Sequence, residues 1–365
     1  MYHRKMRWLF CEKMSNYFKC EIFEEEGFEP SDNFEIIQSE LKVDGKITNN
    51  ITKNSNFRFR NQKIQYKCRW KCQENWDSKK PTILIPIRDN VELINITMNN
   101  LKEKKIADLC NIIVIDDRST EDIESQVSKN GFSYLRVDNE KGFNFSMLNN
   151  IAAKICYHLS VKEIILWNSD LWCVEKQWFS ELLRRHRENN SVISGSKLIY
   201  PPEEMSLNDE EDTQNIKNAF PNMVGKQWRN TVQFGGPGWI STPQSIIFIS
   251  PIHLKRFSDL KDERVNCDRG VSFITGALQV WDLKYFIKIG GLNPSLSRNF
   301  QDVDICLRAC SDGNIPMYFG KDIFFYHDES ATLDSGKEKK NNLQMISDHI
   351  LFGKIWNEKV AGIVF

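Results

Sequence analysis

Lys162-Glu163-Ile164-Ile165-Leu166-Trp167-Asn168-Ser169-Asp170 is the stretch whose reading decides the fold. Glu163 to Trp167 is an apolar run of strand length, and it delivers straight into a polar tripeptide. In an open α/β sheet, ligands gather at the carboxyl ends of the strands. A carboxylate placed there, Asp170, can hold a divalent cation, and the cation can hold a diphosphate. Taken alone, the same tripeptide reads first as a helix N-cap, because Asn, Ser and Asp are preferred capping residues. The choice between the two readings depends on the rest of the chain.

Upstream, Pro81 to Ile87 is a continuous apolar strand ended by Arg88-Asp89-Asn90, and Leu93, Ile96 and Leu101 then keep helical spacing. Asn111 to Ile115 is a second buried strand, ending in Asp116-Asp117-Arg118-Ser119-Thr120. A third runs from Phe132 to Val137, and Phe145, Leu148, Ala152 and Ile155 mark another helix. This alternation predicts an α/β fold with a mixed, mainly parallel sheet and helices on both faces. A dinucleotide-binding domain is rejected, because no G-x-G-x-x-G follows the first strand and the turn after Ile87 holds no glycine. A P-loop is absent as well. A nucleotide must then be gripped by carboxylates and a metal.

Downstream, Trp178, Phe179, Leu182 and Leu183 give an apolar helix face, and Val192 to Ser196 a short strand. Residues 201–245 are polar and rich in Gly and Pro, a length of loop that is usually functional or mobile. Ser245 to Ile249 and Val271 to Val280 read as strands, the second interrupted by Gly276, where something can approach the backbone closely. Asp282 to Ile289 is a short helix stopped by Gly290-Gly291. Phe300 to Cys310 is a helix in which Asp304 and Arg308 pair at i,i+4. That leaves Asp302 in the first turn without a partner in sequence. It either complements the helix dipole or faces a cleft as a general base; the helix N-terminus would lower its pKa. Pro316 to Phe319 and Ile323 to Tyr326 read as two strands, the second delivering His327. That residue is a surface or capping histidine, or a metal ligand through its neutral ring. Residues 338–356 read as a closing helix.

The chain has 365 residues, 41% of them hydrophobic, which allows one large domain with an extension. A formal net charge of +0 gives no nucleic-acid footprint. No apolar run reaches the 18 or so residues that span a bilayer, and the basic start before Trp8 to Cys11 is too short for a signal peptide. Ten scattered cysteines read as buried free thiols of a reducing compartment, which implies a cytoplasmic location. Residues 1–79 are expected to form an N-terminal extension of short strands. Its role is structural cover, or an acceptor or homo-oligomer surface. Residues 80–335 form the main domain and 336–365 a C-terminal helix.

The order of motifs over residues 81 to about 330 resembles the family-2 group of inverting glycosyltransferases, with the GT-A (Rossmann-like) fold. The matching stretches are Ile85-Pro86-Ile87, Ile115 to Thr120, Lys141 to Ser146 with Asn149-Asn150, and Asn168-Ser169-Asp170. They continue with Gly195 to Pro201, Thr275-Gly276-Ala277, Ile289 to Leu292, Gln301 to Arg308, and Tyr326-His327. Phe143-Asn144-Phe145-Ser146 and Leu198 to Pro201 are similar to the rhamnosyltransferase-type subgroup.

The resemblance implies that Pro86, Ile87, Arg88, Asp116, Asp117, Asn149, Asn168 and Ser169 line the donor pocket. An Asp would take up the uracil or thymine imide, and Gly276 and Ala277 would lie beside the donor sugar. Asp170 and His327 would bind Mn²⁺ or Mg²⁺, and Asp302 takes the place of the catalytic base. The expected donor is UDP- or dTDP-linked. The acceptor would be a glycan, lipid-linked glycan or glycoprotein in surface polysaccharide synthesis. Two departures stand out: Asn168 replaces the first acidic residue of D-x-D, and Gln301 stands where a Glu usually precedes the base. Both favour the alternative, a non-catalytic nucleotide- or glycan-binding relative acting as an assembly subunit. A nucleotidyltransferase would want a Gly-rich basic loop after the first strand, which Arg88-Asp89-Asn90 is not.

Overall fold

The computed structural model describes residues 51–59, 62–139, 142–207, 228–242, 245–329 and 342–364. The acidic stretch from Glu21 to Glu29 and most of the predicted extension lie outside them. A hairpin of β1 (Ile51–Phe59) and β2 (Gln62–Lys71) pairs antiparallel, and β2 in turn pairs with β5 (Ser133–Asn139). Residues assigned above to an extension are therefore part of the main sheet, and Cys68, Trp70 and Cys72 enter the main core.

Next come β3 (Thr82–Ile87), β4 (Asn111–Asp116), β6 (Glu163–Trp167), the short β7 (Leu171–Cys173) and β8 (Ile193–Ile199). The chain continues through β9 (Val232–Phe234), β10 (Pro237–Ser241), β11 (Ile249–His253), β12 (Asp268–Gly270), β13 (Leu278–Asp282) and β14 (Met317–His327). Ten strands follow the order β1-β2-β5-β4-β3-β6-β13-β8-β14-β12, with β7 added to β14 and β9 to β8. β3, β4, β5 and β6 are mutually parallel, as are β8 and β14, while β13 runs against both of its neighbours. The sheet is mixed, and its central strands mostly share one direction. Strands covered on both faces must be apolar throughout, and β3 and β4 are buried along their whole length.

The helices are α1 (Val91–Glu103), α2 (Ile123–Lys129), α3 (Phe145–His158), α4 (Lys176–Glu188), α5 (Leu283–Lys288), α6 (Gln301–Ser311), α7 (Asn342–Trp356) and α8 (Ala361–Val364). α3 packs over β3, β4 and β6, and α4 over β8 and β14.

Three boundaries differ from expectation. The strand placed at Val271 to Val280 begins only at Leu278; the residues before it form a loop and a turn in which Gly276 lies. The strand placed at Ser245 to Ile249 is β11, starting at Ile249. The two strands of 316–326 are one, with a register shift between Phe319 and Phe324 where Asp322 takes a positive φ. No helix of the described residues is long and apolar enough to cross a membrane.

Candidate active site

The tripeptide after β6 does not cap a helix: it turns the chain into β7. Leu171 N donates to Asn168 O at 3.1 Å, and Trp167 Nε1 to Leu171 O at 2.8 Å. From α1, Thr97 Oγ1 donates to Ser169 O, and Asn100 brackets Cys173 with bonds of 3.0 and 2.8 Å. The turn carrying Asp170 is thus tied at both ends to one helix. β7 then pairs antiparallel with the last residues of β14, His327 opposite Leu171, and Asp328 N donates to Asp170 O at 3.0 Å. Two residues 157 positions apart in sequence are brought side by side by that ladder: His327 Nε2 lies 3.3 Å from Asp170 Oδ1. Asn168 Nδ2 is 3.4 Å from the same ring nitrogen.

Asp170 is 3% exposed and His327 5%. Burial opposes a charged His327, but Asp170, Glu329 and Asp328 outweigh it and hold the imidazole above its usual range. Its Nδ1 has no hydrogen-bond partner among the described residues. Neighbouring donors on an octahedral ion with bonds of about 2.1 Å sit about 3 Å apart, so the Asp170–His327 spacing fits a small hard cation. No group of three or more His, Cys, Asp or Glu that could hold a metal occurs among the described residues. The remaining positions on such an ion would fall to a ligand's oxygens.

Asp302 arrives from another direction. Phe300, at the N-cap of α6, has φ 63°, a left-handed conformation costly for a bulky residue. It is held there by stacking on Phe352 of α7 at 4.7 Å and by an edge contact with His349. Asp348 of α7 accepts from Ser297 N, Arg298 N and Asn299 N at 3.3, 2.9 and 3.0 Å. Trp356 Nε1 donates to Asp304 Oδ1 at 3.0 Å, and the expected Arg308–Asp304 pair is present at 3.0 Å. So fixed, Asp302 Oδ2 accepts from Gly276 N at 2.7 Å. Burial pushes its carboxyl above the usual carboxylate range despite the backbone N–H donors from Gly276 and Val303. The sequence expectation of a lowered pKa, drawn from the helix N-terminus, is reversed because desolvation wins.

These parts meet in one cleft of ≈ 970 Å³. Of the residues singled out in sequence, Pro86, Ile87, Arg88, Asn168, Ser169, Asp170, Gly276, Ala277, Asp302 and His327 line it. Asp116, Asp117 and Asn149 do not. The Asp116 carboxylate is engaged by Tyr134 Oη, by Arg136 Nη1 at 3.1 Å and by Ser119 N at 2.7 Å. Asp117 is buried with Arg88 Nη1 at 3.8 Å. Asn149 Nδ2 donates back to Phe145 O at 2.9 Å within its own helix.

Sequence reasoning missed Asp89, Thr120 and Glu121, which staple two loops at the cleft mouth. Asp89 Oδ1 accepts from Thr120 N and Oγ1 at 2.8 and 2.9 Å, and Glu121 Oε2 accepts from Val91 N at 2.6 Å. Asp89 and Asn90 both take positive φ there, the left-handed region that Asp and Asn tolerate better than other residues with a Cβ. Also missed were Gln233 and His253, on strands without a clear period, and Glu329, two residues past His327.

No protein-family model matches the chain. The protein y4gI of Sinorhizobium fredii, itself uncharacterized, is 25% identical over 259 residues, covering 69% of this chain and 24% of y4gI. The chain thus spans about a quarter of that relative's length. Among solved structures, GalNAc-T7 with UDP, GalNAc and Mn²⁺ overlays with a TM-score of 0.47 at 12% identity, over 70% of this chain and 44% of that one. The mannosyltransferase PcManGT from Pyrobaculum calidifontis, with GDP-Man and Mn²⁺, gives 0.41 at 9% identity, over 89% and 65%. S. aureus TarS 1-349 gives 0.41 at 13% identity, over 76% and 70%.

Proposed function

We propose that this protein is a metal-dependent, inverting glycosyltransferase of GT-A type. It would move a sugar from a UDP- or dTDP-sugar to an acceptor hydroxyl, in surface glycan or polysaccharide synthesis. The observation that carries the reading is the convergence, in one cleft, of the Asp170–His327 pair with the half-buried Asp302 carboxylate. A reaction that expels a diphosphate and activates a hydroxyl needs both poles in reach of one substrate.

Asp170 and His327, with Asn168 beside them, would hold Mn²⁺ or Mg²⁺, which when bound supplies positive charge against the leaving diphosphate. Pro86, Ile87 and Arg88, at the end of β3, would border the nucleoside. Gly276 and Ala277 would keep the floor beside the sugar low. Asp302 would take the proton of the acceptor hydroxyl through a remaining lone pair of its carboxylate, whose Oδ2 accepts from Gly276 N and Oδ1 from Val303 N at 2.9 Å. A raised pKa makes it a stronger base than an ordinary carboxylate, and general-base help of this kind is worth ~10²–10⁴-fold. A single displacement from the opposite side inverts the anomeric carbon.

Asn168 and Gln301 support a second reading, a relative that binds the nucleotide or glycan without turnover. Asn168 faces His327 with an amide instead of a carboxylate, and Gln301 Nε2 donates to Arg298 O at 3.2 Å. One experiment separates the two. With Mn²⁺ and a panel of sugar nucleotides, the transferase releases nucleoside diphosphate, slowly to water and faster to an acceptor. The Asp302→Asn variant still binds the nucleotide but loses release. No release from any donor, with binding intact, favours the binding protein.

A further inference from the structure

One wall of the cleft holds neither the metal pair nor the base. It is made by Gln233 in the middle of β9, His253 at the end of β11, and Glu329 just past β14. His253 Nδ1 lies 3.1 Å from Gln233 O. A carbonyl only accepts, so the proton sits on Nδ1, and in the neutral ring Nε2 is left as an acceptor. Burial depresses the His253 pKa to about 4, and the ring stays neutral at physiological pH. Its edge contact with Phe234, 5.0 Å between centroids, fixes the plane. Gln233 is 1% exposed, yet its Oε1 has no hydrogen-bond partner among the described residues. A buried amide oxygen left without a donor is costly unless a ligand supplies one. Glu329 Oε2 accepts from Tyr200 Oη at 2.8 Å and from Arg256, which anchors the carboxylate in place. The wall therefore presents two neutral acceptors, Gln233 Oε1 and His253 Nε2, beside a carboxylate already engaged by Tyr200 and Arg256.

We propose that Gln233, His253 and Glu329 receive the glycosyl unit of the donor and select a neutral, hydroxyl-bearing sugar over one that carries a carboxylate. The inference rests on the transferase reading above. Its reasoning is chemical. Two neutral acceptors, Gln233 Oε1 and His253 Nε2, need donors, and adjacent sugar hydroxyls supply O–H groups at that density. A uronosyl carboxylate would instead meet the Gln233 Oε1 and His253 Nε2 lone pairs, with no proton between them. The wall is also contiguous with the Asp170–His327 pair through Asp328, so it adjoins the place a diphosphate would occupy. The glycosyl unit, bonded directly to that diphosphate, is the part of the donor that reaches it.

The test is calorimetric binding with Mn²⁺. The probes are UDP, dTDP and GDP alone, their neutral hexosyl forms (UDP-glucose, dTDP-glucose, GDP-mannose), and UDP-glucuronate. In the wild type the hexosyl form of the preferred nucleotide binds more tightly than the bare diphosphate, and UDP-glucuronate gains nothing over UDP. His253→Phe, which keeps the contact with Phe234, and independently Gln233→Leu, each lose about five- to tenfold of the hexosyl gain. Affinity for the bare diphosphate stays as it was. His253→Gln, whose amide oxygen replaces the ring acceptor, recovers part of the loss. Variants that keep the hexosyl gain overturn the proposal, as do variants that lose diphosphate affinity to the same degree. If the wild type binds no nucleoside diphosphate at all, the transferase reading falls first and the wall assignment falls with it.

Discussion

Asp302 holds its place through a glycine. A Cβ added at Gly276 would come within 3.2 Å of Asp302 Cβ, so Gly276→Ala forces the carboxylate aside by a few tenths of an ångström. Misplacement on that scale at a reacting group is felt in rate before it is felt in stability. We expect kcat to fall tenfold or more while the melting temperature moves little. Asp302→Asn keeps an acceptor for Gly276 N, gives up the one for Val303 N and removes a charge that burial disfavours. Transfer should drop at least ~10²-fold with no loss of thermal stability; an early-melting variant would mean the carboxylate is structural. Because the carboxyl sits above its ordinary range, its deprotonation, and with it the acid limb of kcat/KM, should lie at higher pH than a free carboxylate's. At this scale the sequence was only partly legible. That Asp170, His327 and Asp302 line one cleft was foreshadowed by their places at a strand end or in a helix first turn. That Asp116 and Asp117 stay outside its lining was not, because the partners that engage them, Tyr134, Arg136 and Arg88, come from other elements.

The element that governs the site without entering it is α7. Asp348 collects three consecutive backbone N–H groups from the loop that leads into α6. Asp348→Ala strands all three in a buried place, at about 1–3 kcal/mol for each group left unpaired. Chemical denaturation should show a loss of at least about 2 kcal/mol, and Asp348→Asn, which keeps an acceptor, a smaller one. Elements with one strong period were readable from sequence. Glu163 to Trp167 was placed to the residue, and the Phe300 to Cys310 helix nearly so. Gly276 misled the reading of Val271 to Val280 because a glycine that turns the chain beside a cleft looks, in one dimension, like a glycine inside a strand. The reversed direction of β13 was invisible for a related reason: an apolar run carries no sign of which way it will point.

Across the whole molecule, the site is assembled from segments that only the sheet order brings together. Asp170→Ala should abolish metal-dependent nucleotide binding. In the wild type EDTA should weaken that binding tenfold or more, and in the variant it should do nothing; equal affinities throughout would remove the cation from the site. Six of the described cysteines are buried, and all eight are free thiols. Burial pushes Cys72 up to about 11 and Cys173 to about 12, and Cys110, Cys156 and Cys306 higher still. Thiolate is the reactive form, so these five should resist a thiol reagent at pH 8 until urea unfolds the chain. Rapid labelling of the folded protein would contradict that. The α/β alternation and the joining of loops 85–90, 168–170 and 275–277 were legible as motif order. The contribution of the β9–β11 region was not, since its strands are short and irregular in period.

The clamp that α7 places on the loop before Asp302 has a temporal consequence. No ladder of the sheet uses residues 342–356, and the clamp closes on a loop that follows β13, so the strands can pair without it. A refolding chain should therefore recover its far-ultraviolet ellipticity before Asp348 has captured its three amides. In that interval the protein would carry its full complement of strands and still be inert. Stopped-flow records of ellipticity and of nucleotide turnover, started from the same urea jump, should separate into an early and a late trace.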